Sequence, residues 1–196
     1  MSIRQTNIEL LSPAGSFESL RAAIQGGCNA VYFGIEQLNM RARSSINFTV
    51  DDLKEIAAIA KENGIKTYIT LNTILYDHDL VLMRTILDAA KANGIDAIIA
   101  SDHAVMNYAR KINMPVHIST QTNITNIETV EFYAAFGDVM VMARELALEQ
   151  VADIVKNIMK CLKRNFRAFI TALTPKNQGI CDAALLFKFL EQSSFS

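Results

Sequence analysis

Side chains able to hold a ligand fall in short clusters along this chain of 196 residues. Ser12-Pro13-Ala14-Gly15 is a tight polar turn in which Pro13 fixes one φ angle and Gly15 permits close approach of a backbone. Asn39, Arg41 and Arg43 share the stretch Asn39 to Ser45, Asn72 precedes Thr73, Ser119 and Gln121 lie in Ser119 to Asn123, and Arg144 precedes Glu145. Two guanidinium forks as close as Arg41 and Arg43 suit bidentate capture of phosphate or carboxylate, and hydroxyl and amide groups suit hydrogen bonding to a polar substrate. Each cluster has a plainer reading beside it. Ser, Asn and Asp after a strand often only cap the next helix, as Asp102 and Thr125 are expected to do. Arg41 and Arg43 can simply be solvated, and Arg144 with Glu145 is either a local ion pair or a substrate clamp. His78, His103 and His117 show neither metal-ligand spacing nor a serine and aspartate placed for a triad, so no catalytic or metal residue is assigned.

The elements that must position these residues recur as one unit: a helical pattern, a turn bearing glycine or proline, then a short apolar run. Gly27, Gly64 and Gly94 fit left-handed helix ends feeding strands. Strands are predicted at Ile8–Leu11, Ala30–Phe33, Thr67–Leu71, Ala97–Ala100, Val116–Ser119 and Val139–Met142. Helices are predicted at Phe17–Gln25, Val50–Asn63, Asp79–Asn93, Ala104–Ile112, Ile127–Phe136 and Ala147–Ile158. Alternating strands and helices give an α/β fold with a parallel sheet, and nearly continuous apolar runs fit strands buried on both faces. Every polar cluster then follows a strand C-terminus, the edge where such folds bind ligands. There is no G-x-G-x-x-G and no Walker lysine motif, which removes those routes to nucleotide binding.

Composition bounds the rest. Hydrophobic residues make up 51% of the chain and mean hydropathy is +0.18, enough for a real core. No apolar run reaches the roughly 18 residues of a membrane span, and the first residues lack a signal-peptide layout, so a cytoplasmic protein is expected. Cys28, Cys161 and Cys181 show no CxxC spacing and read as buried thiols. Residues 1–155 hold 12 Lys/Arg against 18 Asp/Glu, a balance of −6, whereas residues 156–196 hold seven against two, a balance of +5. That shift marks a boundary, with a unit over 1–158 and an atypical tail over 159–196. In the tail, 166–174 has the pattern of a strand and 181–192 that of a helix. Lys160, Lys163, Arg164 and Arg167, interleaved with Phe166 and Phe169, would suit RNA contact or plain packing.

The stretches Glu9 to Thr49, Gly64 to Leu80, Gly94 to Asp102, Pro115 to Asn126 and Val139 to Val151 resemble the N-terminal half of peptidase family U32. The resemblance covers about residues 7–158. It implies a TIM-like (β/α) barrel, incomplete here at six to seven strands. It also implies either a collagenase-type peptidase or a protein of tRNA, rRNA or ubiquinone-precursor hydroxylation. By position it carries over Ser12 to Gly15, Asn39 to Ser44, Asn72, Ser119 to Gln121, and Arg144 with Glu145, all at the barrel mouth. The hydroxylating branches imply an iron–sulfur cluster on four cysteines. After Ile158 this chain departs from the family's cysteine-bearing segment, so no cofactor is expected in it and the protein is expected to be a shortened form. The expected partner is a small anionic ligand, or a peptide or RNA substrate, at the mouth. No membrane partner is expected, and an open barrel edge would pair with a second copy. The alternative is a non-catalytic barrel that binds an anion or a partner through Arg41, Arg43 and Arg144.

Overall fold

The computed structural model describes residues 8–35, 38, 48–137, 139–161, 167–169, 171–172 and 184–187. Strand β1 (Ile8–Pro13) is followed by helix α1 (Phe17–Gln25), β2 (Ala30–Gly34), α2 (Leu53–Glu62), β3 (Lys66–Leu71) and α3 (Leu80–Ala92). Next come β4 (Ala97–Ala100), α4 (His103–Lys111), β5 (Val116–Ile118), α5 (Ile127–Tyr133), β6 (Val139–Val141) and α6 (Leu148–Cys161). Three short strands follow, β7 (Arg167–Phe169), β8 (Thr171–Ala172) and β9 (Ala184–Phe187). The helices stop for a local reason. Gly27, Gly64 and Gly94 have φ of 79°, 64° and 76°, and after α4 the same left-handed place is taken by Asn113 at 55°.

Strands β1 to β7 pair in chain order and in parallel. β9 runs antiparallel to both β1 and β8, giving the order β7-β6-β5-β4-β3-β2-β1-β9-β8. One residue separates β7 from β8, so a single stretch of chain pairs with β6 through its first half and with β9 through its second. The hydrogen-bonded order comes back on itself. Among the described residues, six strand–helix units and a seventh parallel strand make an incomplete TIM-like barrel, with antiparallel β9 beside β1. Residues 184–187, read from the sequence as part of a helix, are therefore strand. The β1 edge is covered by β9. The rest of that stretch lies outside the described residues.

The sheet separates two cores. Its outer face packs against the helices through Val31, Phe33, Ile69, Leu71, Ile98, Ile118 and Met140, joined by Leu20, Ile56, Ile86, Met106 and Val130. Its inner face holds a smaller apolar set, Leu11, Ala30, Tyr68, Ala97 and Val139, with half-buried Tyr32 and Ile99 against it. Strand alternation sorts the two: on β2, Val31 and Phe33 face out while Ala30 and Tyr32 face in. Among the described residues no helix is long and apolar enough to cross a membrane.

Candidate functional site

Because β1 to β6 are parallel, the segments after them share one rim. On that rim the inner face continues past the strands through Asn72 after β3, Ser101 after β4 and Ser119 after β5, each in phase with inward residues of its own strand. Asn72 and Ser101 are half-buried, and Ser119 is 2% exposed. Ser119 is also a cap. Its Oγ accepts from the Gln121 N–H at 3.3 Å and its carbonyl from Thr122 Oγ1 at 2.7 Å, which fixes the turn Thr120–Thr122. Gln121 itself is exposed.

The remaining expected residues fall differently. Ser12 pairs with Val31 and shares its phase, so it faces the helix layer, while Pro13 faces in. The Gly15 N–H donates to Ser19 Oγ at 2.9 Å, as does the Ser16 N–H, and Ser16 Oγ accepts from the Ser19 N–H at 3.3 Å. The turn after β1 is thus a serine capping box that starts α1. Beside it, hydrogen bonding from the Ser16 side chain draws the Glu18 carboxyl below its ordinary value. Arg144 and Glu145 are both exposed, and no ion pair joins them. Asn39, Arg41 and Arg43 lie outside the described residues, but the flanks of their loop are placed. Ile35 bridges to Phe48, whose ring meets Phe17 and Phe33 edge-on at 5.2 and 5.6 Å. Asp102 caps α4 as expected, accepting from the Ala104 N–H at 2.7 Å. For α5 the cap is Asn126, whose Oδ1 accepts from the Thr129 N–H at 2.9 Å, and not Thr125.

At the centre of the barrel stand three groups that the sequence did not single out, Glu9, Lys66 and Tyr68. Below the rim, Glu9 of β1 is 7% exposed; its carboxylate accepts from the Tyr68 hydroxyl at 2.6 Å and from Lys66 Nζ at 2.5 Å. The Tyr68 ring meets the His117 imidazole edge-on at 4.6 Å, and His117 is 8% exposed. A carboxylate, a phenol and an imidazole inside a barrel usually filled by branched apolar residues are costly unless partnered; Glu9 holds Tyr68 and the half-exposed Lys66, and Tyr68 meets His117. Register puts half-buried Tyr32 beside Tyr68 and half-buried Ile99 beside His117. The signal was in the sequence as a period of two: Lys66, Tyr68, Thr70 and Asn72 form one polar row on β3.

A parallel α/β barrel with a polar inner rim at its strand C-termini defines the general class of (β/α)-barrel proteins. Within it, this chain belongs to peptidase family U32, whose family model matches residues 15–171. A collagenase of Porphyromonas gingivalis is 53% identical over 154 residues, 79% of this chain and 37% of that protein. An uncharacterized protease of Methanocaldococcus jannaschii is 41% identical over 153 residues, 78% of this chain and 37% of that protein. A tRNA hydroxylation protein P of Escherichia coli is 29% identical over 198 residues, 92% of this chain and 44% of that protein. The chain thus spans well under half the length of these relatives, and the family likeness continues past Ile158. A U32 peptidase of known structure superposes with a TM-score of 0.66 at 12% identity, covering 87% of this chain and 70% of that one, which supports the barrel fold.

Of the cysteines, only Cys28 has a described side chain, and it lies away from the rim. Cys28 precedes β2, at the opposite end of the sheet, and burial raises its thiol pKa, offset in part by a backbone hydrogen bond. The side chains of Cys161 and Cys181 lie outside the described ones.

Proposed function

We propose that this chain is the substrate-holding barrel of a U32 protein on the collagenase-named side of the family, and that its substrate is a polypeptide. The observation that carries the reading is the inner stack. Asn72, Ser101 and Ser119 form a polar rim above Tyr68 and His117, with Glu9 anchoring the phenol from below. Amide and hydroxyl groups at the rim suit a peptide backbone, and Arg144 beside them suits a carboxylate. The imidazole of His117 and the phenol of Tyr68 are chemically able to pass a proton to or from a bound substrate. The 53% identity to the P. gingivalis collagenase favours this side, and the balance of −6 over residues 1–155 does not suit a polyanion.

RNA hydroxylation is the second reading, favoured by relatives named for it, including a 23S rRNA 5-hydroxycytidine synthase of E. coli at 33% identity. One experiment separates the two. The purified chain is incubated with fluorescein-labelled gelatin and, in parallel, with unmodified tRNA followed by nucleoside mass spectrometry. Peptide release that falls at least tenfold in His117→Ala, with Arg144→Ala raising KM, is the expected result. Intact gelatin beside hydroxylated nucleosides would overturn it.

A further inference from the structure

Five large apolar side chains stand exposed among the described residues, and four of them fall within one segment: Ile74 at 75%, Tyr76 at 63%, Val81 at 72% and Leu82 at 36%. The segment runs from the end of β3 into the first turn of α3, so it lies on the rim directly after Asn72. Its backbone is fixed. Leu75 and Leu80 pack against the helix-facing core, and the Leu75 N–H approaches Asp102 Oδ2 at 3.4 Å on the neighbouring rim segment. The Tyr76 N–H donates to Asp79 Oδ2 at 2.9 Å, and the Tyr76 ring lies parallel to His78 with centroids 5.8 Å apart. A loop tied down at both ends that still turns its apolar side chains to water presents a preformed contact surface.

The charges around it are mostly acidic. Asp77 is exposed; Asp79 is half-buried with exposed His78 3.5 Å from its Oδ1; further along α3, exposed Asp88 accepts from the Tyr108 hydroxyl at 3.0 Å, and the Arg84 guanidinium sits 5.8 Å over that ring. We infer that Ile74, Tyr76, Val81 and Leu82 form a docking ledge for an extended polypeptide segment that carries apolar side chains beside lysine or arginine. The inference rests on the polypeptide reading of the mouth and adds to it a subsite with its own preference. A second copy packed symmetrically on the ledge would set Asp77 near its own equivalent, and an RNA backbone would meet the same acidic edge. Apolar side chains flanked by a cation satisfy both features of the surface.

The test uses fluorescence anisotropy with labelled decapeptides, each holding two lysines and four residues drawn from Leu, Phe, Val and Pro in varied order. Matched peptides with glutamate for lysine, and a decauridylate, are run beside them. Lysine peptides are expected to bind the wild type, about tenfold more weakly the Ile74→Ser, Tyr76→Ser double variant, and with a reduced salt dependence Asp77→Asn. Phe132→Ser, which removes an exposed apolar side chain outside the ledge, should bind like wild type, and equal thermal melts establish that the surface variants are folded. Absence of peptide binding, equal affinity in the double variant, equal binding of the glutamate peptides or decauridylate, or self-association abolished by the double variant would each overturn the ledge. Binding that follows the ledge without gelatin cleavage would remove only the hydrolytic reading. Cleavage indifferent to Ile74 and Tyr76 would remove only the ledge.

Discussion

Glu9 is the buried carboxylate among the described residues, and it binds two strands that are not neighbours. Its partners Tyr68 and Lys66 are on β3, and the intervening β2 presents Ala30 to the interior, whose single methyl leaves room for the span. Tyr68→Phe deletes the donor and leaves one carboxylate oxygen in the interior without it. A loss of about 1–3 kcal/mol in urea denaturation is expected. Ala30→Leu would wedge the bridge apart at similar cost, with the usual penalty of overpacking. Cys28 gives a pH signature. Its thiol holds a proton more tightly folded than unfolded, so its contribution is complete below the unfolded thiol's pKa and is lost as pH climbs through the raised folded value. In a Cys161→Ser, Cys181→Ser background, urea midpoints should fall on the alkaline side, above about pH 8.5, and Cys28→Ala should lessen that fall.

At the scale of elements, most boundaries were legible because apolar runs and helix-ending glycines mark them locally. Ala97–Ala100 and Phe17–Gln25 match residue for residue, and the other elements through α6 differ by no more than a few residues at their ends. Three features were not legible. Asn113 closes α4 in the left-handed region that glycine takes elsewhere, and asparagine has many other uses. The polar row of β3 was hidden because its outer-facing residues make the strand read as one apolar run. Ala184–Phe187 has an apolar spacing that suits either helix or strand, and long-range pairing to β1 and β8 decides it. The rim itself was legible, yet Ser12 faces the helix layer and the Gly15 N–H is tied to Ser19 at the start of α1, because register sets which way a side chain points and sequence does not print register. Gly64→Ala is expected to cost about 1 kcal/mol through backbone strain alone, since nothing lies within 4 Å of an added Cβ. Gly137→Ala would put that atom 2.5 Å from Ile118 Cγ1, and a loss of about 1–3 kcal/mol partly recovered by adding Ile118→Val would identify the clash in thermal melts.

Across the whole molecule, the ring of strands depends on β9, the element that holds β1 and β8 together. Leu186 pairs with Glu9 on one side and Thr171 on the other, so Leu186→Pro strikes both ladders at once. The uncovered β1 is expected to drive concentration-dependent self-association, read by light scattering on size-exclusion chromatography. The same closure sets an order of events in the cell. Leu11 waits for Ala184, and at about 5–20 residues per second a ribosome needs roughly 10–35 seconds between making the two. Throughout that interval the side of β1 that β9 covers has no strand against it, an exposed edge of the kind that templates aggregation until β9 emerges.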